Sequence, residues 1–95
     1  MVQCARGTVA HLAVAITELR DALREHMRTR DVATDIHYPI LDCDQPGWHD
    51  SPSRTVGDLV ASRRSVPRLV SLPCFPGMTD PEVERVCDAL QSFAA

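Results

Sequence analysis

Between Leu12 and Ile16, large apolar side chains alternate with alanines: Leu12-Ala13-Val14-Ala15-Ile16. A repeat of two predicts a half-buried strand. The period then lengthens. Leu19, Ala22, Leu23, His26 and Met27 fall at i, i+3, i+4, i+7 and i+8, which predicts an amphipathic helix over about 19–30. Thr17 is its candidate N-cap, and Arg28 and Arg30 suit the negative end of the helix dipole. Residues 32–38 predict a second strand, closed by Pro39, which has no N–H to give to a ladder.

From Ile40 to about Thr55, prolines, Gly47, aspartates and serines interrupt every period, so this stretch reads as loop. Loops of this length inside a small domain are often functional. A short helix over 62–69 is weakened by Pro67. Leu69-Val70-Ser71-Leu72 predicts a short strand, and Pro73-Cys74-Phe75-Pro76-Gly77 a stiff turn. Thr79 with Glu82 forms a capping box, and Pro81 fits the first turn of the helix that follows. Its predicted apolar stripe is Val83, Val86, Cys87, Leu90 and Phe93. The fold class expected is α+β, a small sheet with helices packed on one face. One domain is expected over 10–95, with residues 1–9 an unassigned leader.

Ninety-five residues, 44% apolar and 24% charged, suit one small globular unit whose 4% aromatics leave the core to Leu, Val and Ala. A net charge of −3 gives no basic stripe for nucleic acid. Arg63, Arg64 and Arg68 form the densest basic patch, expected to be a solvated face without interleaved aromatics. The longest mostly apolar run, Val9 to Ile16, is about half of a membrane span. No basic n-region with a long apolar run opens the chain, so a cytoplasmic protein with reduced thiols is expected. The four cysteines lack C-x-x-C spacing, and Cys74 and Cys87 are expected to be buried as small hydrophobes.

The sequence contains no lysine. That excludes a Schiff-base amine, a lysine general base and a P-loop lysine within it. His11, His26, His37 and His49 show no metal-ligand spacing on one element, and no metal site is expected. No serine or cysteine lies in a nucleophile turn. What remains is the strand end His37-Tyr38-Pro39. On a strand these two side chains would point to opposite faces, His37 with Asp35 and Tyr38 with Ile36. With Tyr38 toward the helices, His37 would reach the open side. From local pattern alone, His37 reads first as an ordinary surface histidine.

Residues 20–48, RDALREHMRTRDVATDIHYPILDCDQPGW, and residues 69–90, LVSLPCFPGMTDPEVERVCDAL, are similar in order and spacing to the C-terminal part of the DegT/DnrJ/StrS aminotransferases. The resemblance runs from about Ala10 to Ala95. It implies the small C-terminal domain of a fold-type I aminotransferase, a dimeric family that uses pyridoxal phosphate to move an amino group onto a nucleotide-linked keto sugar. It further implies that His37 and Tyr38 lie near the nucleotide-sugar cleft, as substrate-binding and not catalytic residues. The partner would be a large domain or complementary chain carrying the lysine, and no cofactor is expected on this chain alone. Asp31 stands where the family commonly has glycine, and Cys43-Asp44 where a histidine often appears. A stand-alone interaction module or a nonfunctional remnant are the alternative readings.

Overall fold

The structure, a computed structural model, describes residues 11–50 and 52–94. The expected boundary between leader and domain therefore lies outside the described residues. The elements run β1 (Ala13–Ile16), α1 (Arg20–Thr29), α2 (Val60–Ser65), β2 (Leu69–Leu72) and α3 (Asp80–Ala94), with single 3-10 turns at Asp42–Asp44, Pro46–Trp48 and Val66–Arg68. β1 and β2 pair antiparallel, with Ala13 opposite Leu72, Val14 opposite Ser71, Ala15 opposite Val70 and Ile16 opposite Leu69. This is the expected α+β arrangement.

The register decides which face meets the helices. Val70 and Leu72 are buried with Leu23, Met27, Val32 and Ala89, and Ala13 and Ala15 pack against them. Since β-strand side chains alternate, Val14, Ile16, Leu69 and Ser71 occupy the other face. The alternation was legible, but its polarity is the reverse of intuition: the alanines face the core. Their small size leaves room for Met27, which is fully buried, to reach the sheet from α1. Ile16 is 50% exposed instead.

α1 buries a narrower stripe than the spacing suggested. Leu23 and Met27 are buried, while Leu19 precedes the helix as its N-cap and stays 61% exposed. Thr17 does not cap the first turn; its hydroxyl accepts from the Leu19 N–H at 3.1 Å. The helix ends on a left-handed residue, Asp31 at φ 58°. The Asp31 N–H donates to the Arg28 carbonyl at 3.0 Å and the Val32 N–H to that of Met27 at 2.9 Å. This is a Schellman closure, in which the buried Val32 covers Met27. Glycine suits that position best, and aspartate is among the few other residues that tolerate it. His26 joins α1 to α3, its Nε2 lying 2.8 Å from Ser92 Oγ and 3.1 Å from the Ala89 carbonyl.

The capping box of α3 is formed: Glu82 N–H reaches Thr79 Oγ1 at 3.4 Å, and Thr79 N–H reaches Glu82 Oε1 at 3.2 Å. The buried stripe of this helix is centred on Ala89, with Val86, Leu90 and Phe93 against the core. Val83 and Cys87 are exposed, so the expected stripe is rotated and Cys87 is not a core residue. Cys74 is only half-buried. A small residue, Ala89, sits where the two helices approach, and the larger side chains flank it. The helix expected over 62–69 lies two residues earlier: α2 stops at Ser65, before Pro67, and one 3-10 turn leads into β2.

The expected strand over 32–38 is reduced to one bridge, Asp35 opposite Ser71. Side chains take the neighbouring backbone groups. Arg24 donates to the Thr34 carbonyl at 3.2 Å and to Thr34 Oγ1 at 3.0 Å, while Asp35 Oδ1 accepts the Ile36 N–H at 2.7 Å. Such local bonds compete directly with a ladder.

The reversed polarity of the sheet is testable. Ala15→Leu, which pushes bulk against Met27 and Val70, should cost about 1–3 kcal/mol. Ile16→Ser on the open face should change urea stability by less than about 0.5 kcal/mol. Equal costs at the two positions would contradict the assignment of faces.

Candidate functional site

The open face of the sheet carries the sequence's candidate residue. Asp35 and Ser71 exchange both backbone hydrogen bonds, at 3.1 and 2.7 Å. Directly opposed residues place their side chains on one face, here the face of Val14. His37 lies two positions beyond Asp35, and its ring returns over β2 until Nδ1 is 2.8 Å from Ser71 Oγ. Its Nε2 lies 3.9 Å from Asp35 Oδ2, too long for a hydrogen bond but close enough for the carboxylate to face that nitrogen. The imidazole is half-buried, and the Asp35 carboxylate is 73% exposed.

Tyr38 does not turn under the helices. A cis peptide bond joins it to His37, the two rings stand edge to face with centroids 5.3 Å apart, and Tyr38 is 67% exposed. The expected division onto opposite faces fails because the chain has left the ladder after the Asp35 bridge. His37 does reach the side away from the helices, with Tyr38 beside it. His11 and His49 are exposed elsewhere and His26 is committed to α3; the structure does not bring them to His37. Among the described residues no three His, Cys, Asp or Glu side chains gather as a metal site.

Sequence reasoning missed Ser71. Its signal was one polar residue inside an otherwise aliphatic four-residue strand. It also missed the anchor of the loop after Pro39. Arg63 on α2 forms a bidentate pair with Asp44, at 2.6 and 3.3 Å, and Arg68 pairs with Glu18 at 3.2 Å. Arg63 and Arg68 of the basic patch are thus engaged in ion pairs, while Arg63 and Arg64 remain exposed. The loop turns so that Trp48, 42% exposed, lines a cleft of about 210 Å³ with Asp42, Cys43, Ser53, Arg54 and Thr55. The Arg63 guanidinium beside Asp44 holds its carboxyl below the usual carboxylate range.

The profile of the DegT/DnrJ/EryC1/StrS aminotransferase family matches residues 3–91. The chain is 33% identical over 87 residues to a dTDP-3-amino-3,4,6-trideoxy-alpha-D-glucose transaminase of Streptomyces venezuelae, covering 90% of this chain and 22% of that protein. It is 30% identical over 90 residues to a dTDP-3-amino-3,6-dideoxy-alpha-D-galactopyranose transaminase of Aneurinibacillus thermoaerophilus, covering 93% of this chain and 23% of that protein. Among solved structures it resembles S. venezuelae DesV in complex with a ketimine intermediate, with a TM-score of 0.76 and 32% identity over 88% of this chain and 22% of that one. The chain therefore spans less than a quarter of the relatives it matches. Among the described residues no helix is long and apolar enough to cross a membrane.

The Asp44–Arg63 tie predicts an acid transition read by Trp48, the only tryptophan. A carboxyl whose folded pKa is depressed contributes stability above its unfolded pKa, about 3.9, and loses it as pH falls through the lower folded value. Trp48 emission should therefore hold from neutral pH to about 4 and change below it. Arg63→Ala should alter the emission at pH 7, and Asp44→Asn should abolish the acid step. An acid step that persists in Asp44→Asn would assign it to another group.

Proposed function

Because this chain belongs to the DegT/DnrJ/EryC1/StrS aminotransferase family, we propose that it supplies one wall of the substrate cleft of a pyridoxal phosphate-dependent nucleotide-sugar transaminase. The observation that carries this reading is the open sheet face. Val14, Ile16 and Leu69 lie on it beside His37 and Asp35, and the chain spans less than a quarter of its relatives. An apolar face bordered by polar groups is a docking surface by its chemistry. Its occupant is the remainder of a transaminase, in the same chain or in a complementary one, and the family's dimer would bring two such units together.

Pyridoxal phosphate, when held on a lysine, supplies the electron sink for amino transfer. This chain does not fit that attachment, since its sequence contains no lysine. Its own share is positional. His37 offers a ring nitrogen to the nucleotide-sugar, and Tyr38 presents an exposed ring and hydroxyl beside it. Neither is assigned a proton transfer on the substrate. Their effect is orientation and hydrogen bonding within the cleft.

Grafting tests this reading. Residues 3–91, placed for the matched segment of the S. venezuelae transaminase, should support transamination of its dTDP-sugar substrate, while the 95-residue chain alone shows none. In the graft, His37→Ala should lower kcat/KM about 10-fold, as expected for one lost substrate hydrogen bond. A graft that folds and binds its cofactor but is indifferent to His37→Ala removes His37 from the cleft. An inactive, well-folded graft contradicts the wall assignment.

A further inference from the structure

Ser71 is the only polar side chain in the buried set of the described residues, at 5% exposure. It sits on β2 opposite both Val14 and Asp35, on the face away from the helices. Its hydroxyl meets His37 Nδ1 at 2.8 Å, and among the described residues no buried polar side-chain atom is left without a partner. A hydroxyl has one proton to place, and a neutral imidazole has one nitrogen that donates and one that accepts.

Two assignments of that proton are possible, and they are not equivalent. If Nδ1 carried the ring proton, Ser71 would accept it, and its own O–H would need a second acceptor within a buried strand. No other hydrogen bond of this hydroxyl exists among the described residues. If Ser71 donates, its proton and the Nδ1 lone pair satisfy each other. The ring proton then sits on Nε2, which looks toward the Asp35 carboxylate 3.9 Å away. A carboxylate favours a donor facing it over a lone pair, so the second neighbour selects the same tautomer.

The geometry points to Ser71 as a positioning residue that donates to His37 Nδ1 and fixes the neutral ring with its proton on Nε2. His37 thereby presents an N–H donor on the open face. What it recognises is an acceptor oxygen, of a phosphate, hydroxyl or carbonyl, and not a donor group. This rests on the reading of His37 as a substrate contact, but the hydrogen-bond arrangement itself does not require any ligand.

Nitrogen and proton NMR of the full 95-residue chain tests it, recorded at pH 9 where an ordinary imidazole is neutral. Nδ1 should resonate as a pyridine-like nitrogen and Nε2 as a pyrrole-like one. The Ser71 hydroxyl proton should exchange slowly with water and correlate with Nδ1. Ser71→Ala should lose that proton and shift the His37 ring toward the values of a free imidazole. Ser71→Thr, which keeps the hydroxyl and suits a strand, should retain both signatures. A pyrrole-like Nδ1 or a ring averaged between tautomers in the unsubstituted chain overturns the assignment. So does a Ser71→Ala ring identical to the parent. No ligand enters this measurement, so a graft indifferent to His37→Ala would remove the substrate contact and leave the Ser71 result to stand or fall by itself.

Discussion

The constraint on which the rest depends is the double cover of β2. Val70, Ser71 and Leu72 are consecutive and all buried, although adjacent strand residues point to opposite faces. On one side Val70 and Leu72 close against Met27, Leu23 and Ala89. On the other, the His37 ring lies over Ser71, while the Asp35 bridge pairs with the free edge of the strand. The hydrophobic core and the candidate site are thus two faces of one four-residue strand. Burial of the aliphatic side chains, each worth about 1.5–3 kcal/mol, fixes the plane in which His37 is held.

The distribution of size across β1 follows from the same strand. Alanines at 13 and 15 face the helices and let α1 and α3 approach closely, while Val14 and Ile16 face outward. A sheet designed to stand alone would place its larger side chains inward, where burial stabilises most. The opposite choice agrees with the proposal that the outward face is a docking surface. The short span of the chain against its relatives and the absence of lysine point the same way. In the proposed reading, the chemistry of amino transfer belongs elsewhere, and this unit contributes shape and a hydrogen-bond donor.

Local rules in the sequence predicted what local bonds determine. Thr79, Pro81 and Glu82 marked the start of α3 and Leu69–Leu72 marked β2, since each depends on neighbours within a few residues. Facing was not legible, because it depends on pairing partners far along the chain. Val83 and Cys87 belong to a plausible apolar stripe, yet contact with α1 turns Ala89 inward instead. Residues 32–38 have the composition of a strand, but Arg24 and the Asp35 carboxylate take the backbone groups a ladder would need. His37 stood out at a strand end; Ser71, 34 residues later, could be joined to it only in three dimensions.

The central claim is that the sheet face bearing Ile16 and His37 is covered by the rest of a transaminase. Hydroxyl-radical footprinting of the grafted enzyme against the isolated chain tests it most directly. Protection of Ile16 and Tyr38 is expected in the graft, with Val83 on the outer side of α3 labelled equally in both. Protection at Val83 with Ile16 and Tyr38 unchanged would place the interface on the helices and contradict it.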